Sequence, residues 1–516
     1  MHNTIKPKRW KGLLLPGLLG LASLQMYVLI LLLPKDEQSW LTPFLVLLSV
    51  AFAFAWCVPA TVKTVDGRID PFHPAALFMV FYLVYYVFSG TLVWLQHDYD
   101  SLWVDTGKYP IYLVNTVLFL GIASVAAFGL GVRTKMVFSG KVIRKIFYTG
   151  DSLRLKEMRY LIFLFFIVGM GITISHLSLM GPLSIDILQY LSPSARREHG
   201  FQWSQFLVIL ESMLSWAALL ATFHCILRYI EKRRKNGVVM TLLFLSFVIV
   251  ITYVMSGKRT AVIPLLLLPL IWRHYLVKQL NVSTAGVYLA IIIVLIGLML
   301  LGRIAVPLLM RGLNPLDYIG NDFERIMLFY FDTGELSTFD MVLASVVQRD
   351  ELLSAMGGTI WGFLKYTFGT FIIFIPRIIW SGKPSYEDPG HIYYQILTGG
   401  NEDVGIAVTA WGTSFLFLHV AGLLFGMFVL GWFCRWVYNM LEPWRHNPYS
   451  VFFYSIFYWM MFQFLRFGTL GFTFLVFIQS MLVGTLAGLV LARKKGRVVS
   501  QHISNHAKQN IRRTEF

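Results

Sequence analysis

Unbroken apolar length is the feature that most constrains this chain. Ala75 to Gln96 and Gly471 to Ala492 each run past the ~20 residues that a helix needs to cross a hydrocarbon core of ~30 Å. Backbone placed in lipid must satisfy its own N–H and C=O groups, so runs of this kind are read as membrane helices. Composition points the same way. The chain is 57% hydrophobic and 14% charged, whereas a soluble domain carries about 25% charged residues. The first apolar run is long and more runs follow it, so it reads as a retained helix rather than a cleaved leader.

The expected spans are Gly12–Leu33, Leu41–Pro59, Ala75–Gln96, Ile111–Val132, Tyr160–Leu179, Gln205–Leu227, Val238–Met255, Thr260–Ile271, Tyr288–Gly302, Trp411–Phe433, Ser450–Leu465 and Gly471–Ala492. This predicts an all-α polytopic membrane protein of about twelve transmembrane helices, with residues 1–516 forming a single integral membrane domain. The eighth span is short, and its Pro264 is a place for a tilt or a break. Net charge is +17, with basic clusters at Lys6–Lys11, Arg133–Arg159, Lys232–Lys235 and Arg493–Arg513. Clusters between apolar runs follow the positive-inside pattern and argue against nucleic acid as a partner. They put both termini in the cytoplasm and leave one large periplasmic loop, 303–404. Within it, Thr359–Trp380 is apolar but interrupted by Lys365, Gly369, Pro376 and Arg377. That pattern favours an interfacial helix over a thirteenth span.

The informative residues are the cations that this topology leaves outside. They are Arg196 and Arg197, the Lys258-Arg259 turn, Arg303, Arg311, Arg325, Arg349, Lys365, Arg377 and Lys383 in the large loop, and Arg466 between the last two spans. For Arg311, Arg325 and Arg349, pairing with Asp317, Asp322, Glu324, Asp350 or Glu351 is an equally good account. Arg259 and Arg466 have no acidic neighbour within their own turn. Arginine forks suit phosphate, bidentately and with permanent charge. Glu211 is an intramembrane carboxylate, either functional or a partner for a neighbouring helix. His224 reads as structural, and Gln25, Asn115 and Gln479 as inter-helix hydrogen-bonding groups. Cys57, Cys225 and Cys434 lie inside apolar runs without paired spacing, as core residues do. Gly257-Lys258 lacks the spacing of a phosphate loop, and Asp98-Tyr99-Asp100 lacks a nucleotide-binding domain around it. No His/Cys cluster has zinc spacing, and no metal or other cofactor is expected.

These features together resemble the Wzy-type O-antigen polymerases, the oligosaccharide repeat-unit polymerases. The resemblance covers most of the chain after about Tyr160. It rests on Arg196/Arg197 with Gly200, on Ser256-Gly257-Lys258-Arg259, on Ile375-Pro376-Arg377-Ile378-Ile379-Trp380 with Lys383-Pro384, on the glycines Gly399, Gly400, Gly405 and Gly412, and on Arg466. It implies a GT-C-like helical fold and a metal-independent, inverting transfer. The donor would be a glycan on undecaprenyl diphosphate, polymerised at the periplasmic face of a bacterial inner membrane into O-antigen, capsule or exopolysaccharide. Implied partners are membrane lipids, a chain-length regulator and a flippase. A diphosphate is already a good leaving group, so stabilising its charge is the main demand, and arginines meet it without metal. Inversion needs one base, for which Asp322, Glu324, Asp332, Glu402, Asp403 and Glu211 are candidates. Tyr386, Tyr393, Tyr394 and Trp411 are candidate sugar platforms, with interfacial anchoring as the plainer reading.

Two rivals remain open. The related O-antigen ligases carry a histidine in the corresponding loop, and His391 keeps that reading alive. A flippase or other transporter of the same lipid-linked oligosaccharide would instead show internal repeats and charges near the midplane. The expected binding set is Arg196, Arg197, Arg259, Arg303, Arg377, Lys383 and Arg466. The sharpest expectation is that Arg259, Arg377 and Arg466 converge on one outward cavity that holds the diphosphate.

Overall fold

The computed structural model describes mainly residues 11–61, 69–95, 110–134, 155–179, 213–230, 259–281, 283–288, 338–373, 389–398, 407–441 and 447–468. Its elements are helical: α1 (Lys11–Leu32), α2 (Leu41–Thr61), α3 (Pro74–Leu95), α4 (Ile111–Arg133), α5 (Leu155–Leu179), α6 (Met213–Ile230), α7 (Arg259–Trp272), α8 (Thr338–Val347), α9 (Arg349–Ala355), α10 (Thr359–Ile373), α11 (Pro389–Thr398), α12 (Thr409–Leu441) and α13 (Pro448–Phe467). Among the described residues, five helical stretches are long and apolar enough to cross a membrane: Gln38–Thr61, α3, α4, α6 and Thr409–Met440, the last interrupted at Leu418 and His419. Leu31, Leu32 and Leu47 point outward at 66%, 76% and 68% exposure, as side chains facing lipid do. The described residues are helical throughout their regular elements, and the chain is a helical membrane protein.

Helices in lipid gain little from hydrophobic exclusion and associate through close contact. The α4–α12 crossing shows this. A Cβ on Gly131 would fall 2.1 Å from the Phe428 carbonyl oxygen, and one on Gly431 would fall 2.1 Å from that of Phe128. Each helix thus seats its backbone on the other's glycine. Polar ties add to the packing. Asn115 donates to the Gln38 carbonyl at 3.0 Å and accepts from Thr42 at 2.8 Å, the inter-helix role its sequence position predicts. Cys57 and Cys434 are buried free thiols, Cys225 is half-buried, and His224 is buried in α6.

Three elements depart from expectation. First, α7 is not broken at Pro264: it stays helical through Pro264 and Pro269 and continues as a π-turn, Arg273–Val277. Each proline removes one backbone donor, and the flanking turns keep the helix going. Second, α8 belongs to the stretch expected as an outer loop, yet all its residues from Thr338 to Ser345 are buried.

Third, the single span expected at Trp411–Phe433 is a hairpin. Backbone angles leave the helical region at Leu418 (φ −121°, ψ 16°) and His419 (φ 58°, ψ −149°). Ser414 then lies against Gly426, whose Cβ would be 3.4 Å from that of Ser414. Residues twelve apart in a straight helix are separated by about 18 Å, so the arm Thr409–Phe417 folds back on the arm that follows. The second arm, from residue 420 to 441, is the one with the ~33 Å reach of a membrane passage. The span is therefore displaced toward the C-terminus. A further helix, α10, covers most of the predicted interfacial segment. Its described fifteen residues extend about 22 Å, and it exposes Ile360 and Trp361.

Candidate functional site

Polar helix ends collect midway along α3. Residues Tyr82–Phe88 of α3 form a π-turn, which widens the helix and frees backbone groups for other partners. The Thr338 hydroxyl, opening α8, donates to the Tyr85 carbonyl, and the Phe339 N–H donates to the Ser89 hydroxyl at 3.2 Å. The first arm of α12 opens at the same place. Its Trp411 indole N–H donates to Ser124 of α4 at 3.0 Å, and the ring lies 6.2 and 5.9 Å from Tyr82 and Tyr86.

The last turn of α13 completes the group. Phe462 packs edge-on against Phe81 of α3 at 4.8 Å, so the two helices run together. Gly468 caps α13 in the left-handed conformation, φ 68°, and a Cβ there would lie 1.9 Å from the Thr409 carbonyl oxygen. Only glycine fits, both for its φ and for this approach. Arg466 is therefore carried to the opening of α12. It is 6% exposed, and its guanidinium lies 4.7 Å from the Phe467 ring. The junction holds the positive end of the α12 dipole and Arg466, together with the hydroxyls of Thr409 and Thr413. The buried Asp340 lies in the first turn of α8. Chemically this centre is a buried polar junction that joins an arginine fork to the opening of a helix, two features that each favour anions in general.

Of the residues predicted for the site, Arg466 lies in this centre. Arg259 opens α7, and His391 is half-buried on α11, which is held to α8 by a 2.6 Å hydrogen bond between Tyr393 and Ser345. Arg196, Arg197, Glu211, Arg303, Asp322, Glu324, Arg377 and Lys383 lie outside the described residues, as do Asp332, Glu402, Asp403 and Tyr386. Tyr393 and Trp411 are fully buried and Tyr394 is 8% exposed, so none of the three is an open sugar platform or an interfacial anchor. Their rings fill the core, and the polar tips of Tyr393 and Trp411 serve neighbouring helices. Arg349 takes the plainer of its two roles. It donates to the Leu416 and Phe417 carbonyls at 3.0 and 3.4 Å, with Asp350 3.4 Å away, and so caps the first arm of α12.

Sequence reasoning missed a second cluster, at the other end of α3. Asp70 is fully buried. Its Oδ2 accepts from Tyr275 at 2.9 Å and Tyr438 at 2.7 Å, and its Oδ1 accepts from the Phe72 N–H at 3.1 Å. His274 uses Nδ1 to accept from the Leu280 N–H at 3.0 Å, so its proton sits on Nε2. That nitrogen faces Asp70 Oδ1 at 3.4 Å, an electrostatic contact rather than a hydrogen bond. The Tyr454 hydroxyl donates to the Phe72 carbonyl. His73 caps α3 by accepting from the Ala75 N–H at 3.1 Å. Burial holds its pKa down at about 4 despite the opposing pull of Asp70, and Arg435 adds a smaller push in the same direction as burial. A buried carboxylate supplied with donors in this way is a tie between helices rather than a reactive group. The available signal was a row of tyrosines and histidines at one end of α7, α12 and α13.

No protein-family model matches the chain, and no curated protein or solved structure matches it either. Among the described residues, no group of three or more His, Cys, Asp or Glu side chains is placed to hold a metal ion.

Proposed function

We propose that this chain is a membrane glycosyltransferase of the repeat-unit polymerase type. It would have about twelve spans in a GT-C-like arrangement and would join undecaprenyl-diphosphate-linked oligosaccharides at the periplasmic face of a bacterial inner membrane. The observation that carries the reading is Arg466, a cation singled out from the sequence. It is buried within the bundle beside the opening of a helix, where an arginine fork and a helix dipole favour the same anion. Arg259 is compatible with the same site. Trp272, the last residue of α7, donates to Ser455 of α13 at 2.9 Å. About three turns from that contact lie both the opening of α7 at Arg259 and Arg466 near the end of α13. The remaining members of the set, Arg377 above all, belong to this proposal on their sequence alone.

One observation favours transport of the same lipid-linked oligosaccharide instead. Helix ends meeting at mid-length of a bundle are a feature of transporters, where half-helices bind substrate near the midplane. Against this stands the Asp70 tie, which joins the ends of α3, α7 and α12 on the side that the charge bias assigns to the cytoplasm. Alternating access requires those ends to part. Purified protein in liposomes with lipid-linked repeat units, in excess EDTA, separates the readings. A ladder of lengthened glycans is expected, and Arg466→Lys should lower its rate more than about tenfold, since lysine keeps the charge but loses the fork. Translocation across the bilayer without lengthening would establish the transporter, and a normal rate in Arg466→Lys would remove the site.

A further inference from the structure

The polar centre is closed. Thr409, Ala410 and Trp411 are at most 1% exposed and Arg466 is 6% exposed, so no lipid diphosphate bearing a glycan reaches them as the helices stand. One wall has the construction of a hinge. Among the described residues, the non-glycine positions with positive φ are Thr409 (64°) and His419 (58°), and they bound the first arm of α12 at its two ends. Non-glycine residues in such regions are held there against their local preference and cluster at switches and clamps. The face against which the arm rests carries Gly422 and Gly426, so beside Ser414 it offers bare backbone rather than interlocking side chains. At its tip, Leu418 is 55% exposed. The arm is held shut from outside by Arg349, whose guanidinium grips the Leu416 and Phe417 carbonyls.

We propose that the arm Thr409–Phe417 is a gate, clasped by Arg349, that swings on Thr409 and His419 to uncover Arg466 and the helix opening to the diphosphate of the lipid-linked glycan. The nature of the ligand rests on the polymerase reading, whereas the gate rests on the geometry of the hairpin. The Ser414→Cys, Gly426→Cys pair tests both, in a background with Cys57, Cys225 and Cys434 replaced by alanine. The Cβ separation of 3.4 Å is close to the ~3.5–4.5 Å that a disulfide takes up.

Oxidation should remove both thiols and slow amide hydrogen exchange in residues 409–417 by at least about tenfold. It should also stop glycan extension, and reduction should restore exchange and extension together. Arg349→Ala, which opens the clasp without any crosslink, should speed exchange in the same residues severalfold. Failure of the disulfide to form would overturn the hairpin on which the gate depends. Exchange that is equal in the oxidised and reduced forms, or extension that continues when oxidised, would overturn the gate. Exchange that responds to oxidation in a protein that extends no glycan in either form would leave the gate standing and remove the polymerase reading.

Discussion

His73 and Asp70 stand three residues apart and show opposite ways of keeping an ionisable group in a dry place. Asp70 is surrounded by donors that suit its charged form. His73 stays neutral, because one ring nitrogen is committed to the Ala75 amide and burial disfavours its cation. Its native pKa of about 4 lies below the ordinary 6.5, so between those values the unfolded chain binds more protons than the folded one. Stability therefore rises with pH from about 4 to about 6.5, is complete above, and is lost on acidification by up to a few kcal/mol. Unfolding midpoints of detergent-solubilised protein across that range should show this slope. In His73→Asn, where the cap acceptor is kept but the titration is removed, the part of the slope due to His73 should vanish.

Elements differ in how far their sequence announces them. The helices α2, α4, α5 and α13 fall within a few residues of their apolar runs, because length and hydropathy alone decide a lipid-embedded helix. The hairpin in α12 was hidden for a physical reason. Its turn uses Leu418 and His419 rather than glycine or proline, so the apolar run passes through it without a break. What holds the turn is Arg349, sixty-seven residues away from Leu416, and no local pattern reports a contact of that range. Arg466 could be singled out from the sequence because an arginine next to a long apolar run, with no acid in its own turn, is conspicuous, whereas its burial could not be read there. Asp70 was hidden because a single acid in a short polar link is ordinary until its distant donors are known. The α4–α12 crossing gives a test at this scale. Gly431→Val should cost about 1–3 kcal/mol or more, since its Cβ meets a backbone carbonyl that has no rotamer to yield. Gly171→Ala, with nothing within 4 Å of the added Cβ, should be neutral or slightly stabilising. Thermal unfolding of the two variants checks the contrast.

At the scale of the whole molecule, the two polar clusters divide α3 between them: a tied end at Asp70 and a gated centre at the π-turn. In the orientation proposed from the charge bias, the tied end would face the cytoplasm and the centre would open outward. Cysteines placed at Asn314 and Gly382 should react with an impermeant thiol reagent in intact spheroplasts. Labelling only after lysis would invert the bundle and make the tied end the outer one.

The tie also imposes a timetable on synthesis. Asp70 enters the membrane protein early, but its tyrosine donors follow 205 and 368 residues later. Throughout that interval the nascent chain carries a carboxylate that cannot be buried without a large penalty, so the start of α3 must stay hydrated or guarded while the ribosome works through the rest. Arrival of Tyr438 is the first moment at which that end can dry and close. The order of manufacture thus makes α12 the element that completes the tie at Asp70, with α13 still to follow, and a chain cut short before α12 keeps a stranded charge.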